Sequence, residues 1–258
     1  MLVVSTWSDC ERHLPLGMCD AHVCIDEFAR LASDDTERLR EFDDELPISA
    51  VGHTVLVVNN SCDSLPMIER WLKTIAASRE IRLLISPGVA QRLSKAGPIS
   101  GLLVENTKEL ADALHQLADI NGSSPLIYLE ESALNPDCLP DLRETILASP
   151  LTNFVFSGLG GKYWRFAMLL CAQATNVILD TARLTPRRLR AILPDRYQVA
   201  RILNQYCHRI IFASGFPVAR PLGMLQIMLP WFASRSAMEW VMRENALKLY
   251  FGQGAVSK

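Results

Sequence analysis

A chain of 258 residues with 49% hydrophobic content can bury one large core or two small ones, and its longest apolar stretch, 166–179, is too short and too interrupted by polar residues to span a bilayer. With 26 Lys and Arg against 28 Asp and Glu, the net charge of -2 gives no global field to draw nucleic acid or an anionic membrane. The 7 cysteines, odd in number and without a CxxC pair, argue against a disulfide framework or a zinc ribbon. They point to reduced thiols in a cytoplasmic protein, and the N-terminus shows no secretory signal pattern.

Short apolar runs alternate with longer helical patterns along the chain. The first strand-like run is AHVCI at 21–25, inside an opening CDAHVCI, and an acidic stretch covers 26–45. TVLVVN at 54–59 precedes a helical pattern at 65–78; IRLLIS at 81–86 and GLLVE at 101–105 follow. Asn106-Thr107 reads as a helix start, and Leu110, Leu114 and Leu117 recur at helical spacing within 107–120. PLIYLE at 125–130, a helix at 140–148, NFVFS at 153–157 and NVILD at 176–180 come next. Thr185-Pro186 opens a helical pattern at 185–205, RIIFAS at 209–214 is the eighth strand-like run, and a Met- and Trp-rich stripe at 221–251 reads as helix packed on the rest.

Near-continuous apolar runs of Val, Ile, Leu and Phe suit parallel strands buried on both faces. Eight of them alternating with helices predict one α/β domain over 1–258, a (β/α)8 TIM barrel, with an open doubly wound sheet as the alternative. The charge is uneven: 26–45 is acidic, whereas Arg183, Arg187, Arg188, Arg190, Arg196 and Arg201 crowd 183–201. Solvated faces are the simpler reading, and a matched contact between subunits is the sharper one.

In a barrel of this type chemistry sits at the C-terminal strand ends. The candidates are therefore His22 and Cys24, Asn59 and Asn60, Ser86, Glu105, Leu129 or Glu130, Ser157 and Gly158, Asp180, and Ser214 and Gly215. His22 and Cys24, two apart on a strand, point the same way, yet side chains so placed lean outward in parallel and seldom reach hydrogen-bond distance. That favours a pocket wall over a thiol with its base. The glycine-rich 157–162 lacks the GxxxxGK[ST] spacing of a phosphate cradle and reads as a strand-to-helix turn.

Five pieces in order, Asp20-Ala-His-Val-Cys24, Phe156-Ser-Gly-Leu-Gly-Gly161, Asn176-Val-Ile-Leu-Asp-Thr181, Ile211-Phe-Ala-Ser-Gly-Phe-Pro217 and Asn245-Ala-Leu-Lys-Leu-Tyr250, resemble the amidohydrolase-related family. The resemblance implies a metal-dependent (β/α)8 hydrolase or decarboxylase. It also exposes departures. Cys24 stands where that family has a second histidine, Leu129 or Glu130 where it has a strand-5 histidine, Gly158 where it has a strand-6 histidine, and Gly215 where it has the aspartate that serves as metal ligand and proton carrier. Of five expected chemical positions only His22 remains, while the framework residues Gly160, Gly161, Pro217, Asn245 and Ala246 are kept.

These departures lead to a protein with no cofactor and no metal, a non-catalytic binding, scaffold or partner subunit. Its partners would be a second copy or an active paralogous subunit, with a small molecule at the mouth and neither nucleic acid nor membrane. The alternative is a hydrolase or lyase of altered chemistry, with His22 and Cys24 catalytic and Asn59, Glu130, Asp180, Gly158 and Gly215 lining the pocket. A residual zinc or other divalent ion would need Glu130 or Asp180 beside His22 and Cys24.

Overall fold

A computed structural model describes residues 17–24, 35–45, 47, 51–59, 65–77, 79–93, 98–117, 125–185, 187–189 and 196–253. The strands are β1 (Met18–Cys24), β2 (Val51–Val58), β3 (Glu80–Ile85), β4 (Ile99–Val104), β5 (Leu126–Leu129), β6 (Asn153–Phe156), β7 (Val177–Asp180) and β8 (Ile210–Ile211). Each of the eight overlaps an apolar run read from the sequence. They pair in sequence order, every neighbour parallel.

The continuation of β8 brings the sheet back onto β1. Ala21 N donates to Phe212 O (3.1 Å), Gly215 N to His22 O (3.0 Å) and Cys24 N to Phe216 O (2.8 Å), with a parallel bridge between Val23 and Phe216. Eight parallel strands thus form a nearly closed barrel, and the α/β TIM-barrel expectation holds over the described residues.

Helices alternate with the strands: α1 (Asp35–Glu45), α2 (Leu65–Ala76), α3 (Pro87–Leu93), α4 (Leu110–Leu117), α5 (Leu139–Ala148), α6 (Trp164–Gln173), α7 (Arg196–Gln205), α8 (Pro221–Met228), α9 (Arg235–Glu239) and α10 (Asn245–Tyr250). Asn106 caps as its residue type suggests, its side chain accepting from Lys108 N (3.1 Å) at the head of a short turn that leads into α4. Thr185 Oγ1 accepts from Arg188 N (3.3 Å), the contact expected of a helix start, although 190–195 lie outside the described residues. No helix among the described residues is long and apolar enough to cross a membrane.

The barrel has two cores, because successive strand side chains face opposite ways. Outside, between sheet and helices, lie Val23, Leu56, Leu83, Leu102, Ile127, Phe154, Phe156 and Leu179. Met224, Leu225, Met228, Met238, Val241 and Met242 join them, so the Met-rich C-terminal stripe packs as read. Inside the barrel are Cys19, Ala21, Val55, Val57, Leu84, Leu103, Leu126, Tyr128, Val155, Ile211 and Ala213, joined by Ala246, Leu247, Tyr250 and Phe251 from the chain's end.

Between α9 and α10 the helix widens into a π segment, Trp240–Glu244. Val241 O there accepts from Phe212 N (2.8 Å), tying the helix to the barrel. Asn245 Nδ2 donates to Cys207 O (2.6 Å) and Ile210 O (2.7 Å), which gives this framework residue its role: it satisfies two carbonyls at the start of β8.

The two charge runs each find partners elsewhere. Asp43 pairs with Arg79 (2.7 Å), Glu45 with Arg220 (2.9 Å), and Arg188 with Glu131. The acidic residues at 26–34 lie outside the described residues.

Candidate functional site

The C-terminal mouth of the barrel gathers a buried polar network. A register shift in β1 between Asp20 and Val23 changes the phase of the strand, as a bulge does. Cys19 and Ala21 face the barrel interior below it, and His22 and Cys24 meet interior groups above it. The expectation that this pair stays apart is corrected here: His22 Nε2 lies 3.0 Å from Cys24 Sγ.

From β5, Tyr128 and Glu130 point to the same side by strand alternation. His22 Nδ1 is 2.6 Å from Tyr128 OH, and Tyr128 donates to Asp180 Oδ2 at the end of β7. With Asp180 ionised, that hydroxyl proton goes to it, the Tyr128 oxygen accepts from Nδ1–H, and Nε2 is left to accept the Cys24 thiol proton. The chain runs Asp180, Tyr128, His22, Cys24. Sequence reasoning, having placed the strand end at Leu129 or Glu130, passed over Tyr128; carrying the two-residue alternation back from Glu130 would have found it.

Asp180 is completely buried, and its other oxygen accepts from Gly158 N (2.8 Å) and Ala182 N (2.9 Å). Burial nonetheless pushes its pKa up to about 7 against these hydrogen bonds. Asp20 is fixed between Ser214 N (2.9 Å) and Ser214 Oγ (2.6 Å), with burial raising its pKa to about 6. His22, with no exposed surface, is held neutral well below its ordinary pKa by burial and then by the Arg183 charge. Glu130 Oε1 sits 3.5 Å from His22 Nε2, and burial raises the Glu130 pKa, with Arg183 and a Ser157 hydrogen bond opposing. Beside a neutral imidazole this contact is not an ion pair.

Arg183 is the second group that sequence reasoning missed, having been counted only as part of a basic run. It follows β7 in a left-handed conformation (φ 58), which costs a branched or long side chain energy and marks positions held by their surroundings. Its Nη2 donates to Cys24 Sγ at 3.2 Å. Gly215, also left-handed (φ 72), lies directly beneath: a Cβ added there would meet the Arg183 side chain at Cγ and its backbone N at 2.8 Å. Arg183 therefore fills the room that an aspartate at 215 would require.

A cavity of about 340 Å³ opens over this network, bounded by Glu130, Glu131, Ser157, Lys162, Arg183 and Arg188 among others. The glycine-rich turn contributes Ser157 and Lys162 to its lining; within the turn Gly158, Gly160 and Gly161 all have positive φ, and a Cβ at Gly161 would strike the Glu131 carboxyl. The turn reading holds. Glu131, paired with Arg188, also accepts from Lys162 N (3.1 Å).

Of the sequence candidates, His22, Cys24, Glu130 and Asp180 converge, and Gly158 and Gly215 serve the site through their backbone N–H groups. Asn59 is half-buried just past β2, and Asn60 lies outside the described residues. Among the described residues no group of three or more His, Cys, Asp and Glu is arranged to hold a metal ion. The donor set explains this: both His22 nitrogens are engaged, Asp180 is spent on backbone amides and Tyr128, and a guanidinium stands on the cysteine. A divalent cation does not fit these residues as they stand.

Residues 127–252 match the amidohydrolase family model. Among solved structures the chain is similar to an uncharacterized TIM-barrel protein from Bordetella bronchiseptica, at 13% identity over 91% of this chain and 98% of that one, with a TM-score of 0.64. It is similar to a dihydroxybenzoic acid decarboxylase from Polaromonas, a structure with bound manganese and an inhibitor, at 13% identity over 91% and 97% of the two chains, TM-score 0.59. A β-aspartyl dipeptidase from Fervidobacterium islandicum is matched at 10% identity over 92% of this chain and 75% of that one, TM-score 0.64. At such identities the likeness is one of fold. No curated protein matches the sequence significantly.

Proposed function

We propose, for a chain that belongs to the amidohydrolase family through residues 127–252, that it is a metal-free, non-catalytic member whose barrel mouth binds rather than hydrolyses. One observation carries this reading: the Arg183 side chain occupies the space over Gly215 and places its guanidinium on Cys24 Sγ, so a fixed organic cation stands among the family's metal-ligand positions. A second cation there would meet like charge and find no open lone pair on His22. Such a protein acts as a binding or scaffold subunit, with a second copy or an active relative as its partner. Cys19, Cys24, Cys138, Cys171 and Cys207 are free thiols, which suits the cytoplasm.

Metal analysis of protein purified without a histidine tag tests this. Zinc, iron and manganese all well below one equivalent is the expected result; a stoichiometric divalent ion that survives dialysis overturns the reading.

The 3.0 Å contact between Cys24 and His22 favours a second reading, a hydrolase or lyase of altered chemistry with Cys24 as nucleophile. Nucleophile, base and orienting group are in line, and Arg183 would stabilise a thiolate. Under this reading iodoacetamide labels the nearly buried Cys24 faster than the half-exposed Cys138, by peptide mass spectrometry. Slower labelling of Cys24 across the pH range eliminates it.

A further inference from the structure

We propose that residues 250–253 form a stopper that closes the N-terminal end of the barrel, held there by a clip of His53, Glu80 and Arg82, and that this stopper opens while the barrel around it stays folded. It lies at the end opposite the mouth and does not depend on the metal-free reading.

The clip follows from strand register and alternation. β2 and β3 pair His53 with Glu80, and Arg82, two residues on from Glu80, faces the same way. Val55 and Leu84, further along those same faces, line the barrel interior, so the three side chains border its lower opening. Glu80 Oε2 is 3.4 Å from His53 Nε2, and Glu80 Oε1 is 3.1 Å from Arg82 Nη2. Phe251 sits among them: the Arg82 guanidinium lies 4.7 Å from its ring centroid, and the His53 ring lies 5.0 Å away and nearly perpendicular. Gln253 Nε2 reaches Glu80 Oε2 at 3.5 Å, and Ser100 Oγ donates to Tyr250 O (3.1 Å). Gly252, left-handed (φ 64), turns the chain back so that Phe251 N and Gln253 N both donate to Leu247 O (each 3.1 Å).

What seats the stopper is weaker than what closes the barrel. Tyr250 carries into the interior a buried hydroxyl with no hydrogen-bond partner among the described residues, which works against seating. The clip contacts run between side chains at an edge where His53 and Arg82 are half-buried and Glu80 is exposed, whereas β1 to β4 are joined by backbone ladders. A segment held by partly exposed side-chain contacts opens at lower free energy than core strands do. Cys19 reports such opening. It has no exposed surface and shares the interior cluster with Tyr250 and Phe251; burial holds its thiol well above the ordinary range, so it stays inert while the stopper is seated.

Iodoacetamide labelling of the full native chain, resolved by site with peptide mass spectrometry, tests the proposal, with Cys171 and Cys207 of the outer core as references. Arg82→Met is expected to raise the Cys19 rate about three-fold, the worth of a partly exposed cation–π contact, and to leave Cys171 and Cys207 unchanged. Phe251→Leu keeps apolar bulk and loses the ring; it is expected to act the same way, and it keeps the test open if Arg82→Met does not fold. In the double variant the two factors combine to less than their product, since each substitution removes the same contact. A Cys19 rate unchanged in both variants overturns the proposal. So does a Cys19 rate that rises only in step with Cys171 and Cys207, which marks unfolding of the whole barrel, and so do two factors that multiply in full.

Discussion

The two ends of the barrel interior use different physics. The N-terminal end is plugged by apolar bulk: Tyr250, Leu247, Ala246 and Phe251 from α10 and its exit pack on Cys19 and the lower strand residues. The C-terminal mouth holds Asp20, His22, Tyr128 and Asp180 at zero exposure, each with hydrogen-bond partners. The contrast teaches how polar groups can be buried at one end of a barrel whose other end is filled by apolar bulk. A buried polar cluster is tolerated when its members satisfy one another, and here a tyrosine and an arginine complete the set.

Tyr250→Ala should break the lower end with the largest effect, about 3–5 kcal/mol lost in urea unfolding, because it empties a buried aromatic site. At the mouth, Tyr128→Phe removes only a hydroxyl, yet it strands His22 Nδ1 and an Asp180 oxygen. About 1–3 kcal/mol should be lost in the same assay. The sharpest form of the comparison is Tyr250→Phe, the same chemical deletion at the other end. The Tyr250 hydroxyl has no hydrogen-bond partner among the described residues, so stability should change by less than about 0.5 kcal/mol or rise slightly.

A pH series separates the ends without changing packing. Asp180 has its pKa raised from 3.8 to about 7, so between those values the folded state holds a proton that the unfolded chain has released. Its stabilising contribution is complete below the lower value and is lost as pH rises to the upper one. Asp20 behaves likewise up to about 6, whereas His22, with its pKa lowered, contributes the opposite slope, losing stability as pH falls below its unfolded value. Asp180→Asn should therefore gain stability relative to wild type as pH rises through this window, read from urea midpoints at several pH values. A constant difference would show that Asp180 carries its charge in the fold.

Much of the scaffold was legible in the residues. The eight β-rich runs are strands, and Asn106 and the glycine-rich turn act as their residue types suggest, because these depend on local periodicity and backbone freedom. Helices α1, α3 and α6 carry weaker signals: α1 is largely charged, α3 begins Pro-Gly, and α6 overlaps the longest apolar run. The site was legible as a set of absences. That Cys24, Gly158 and Gly215 depart from the pattern the resemblance implies, and that His22 keeps to it, could be read directly.

What filled those absences depended on contacts across more than a hundred residues. Tyr128 meets His22, and Arg183 meets Cys24, at sequence separations of 106 and 159. The sequence by itself determined the strand count, the framework and which residue types stand at the strand ends, since each is written in local pattern. Only the tertiary structure decided that a bulge in β1 turns His22 onto Cys24, and that barrel closure sets Arg183 over Gly215. Such contacts follow from the register and twist of strands brought together by closure, which no periodicity along the chain records.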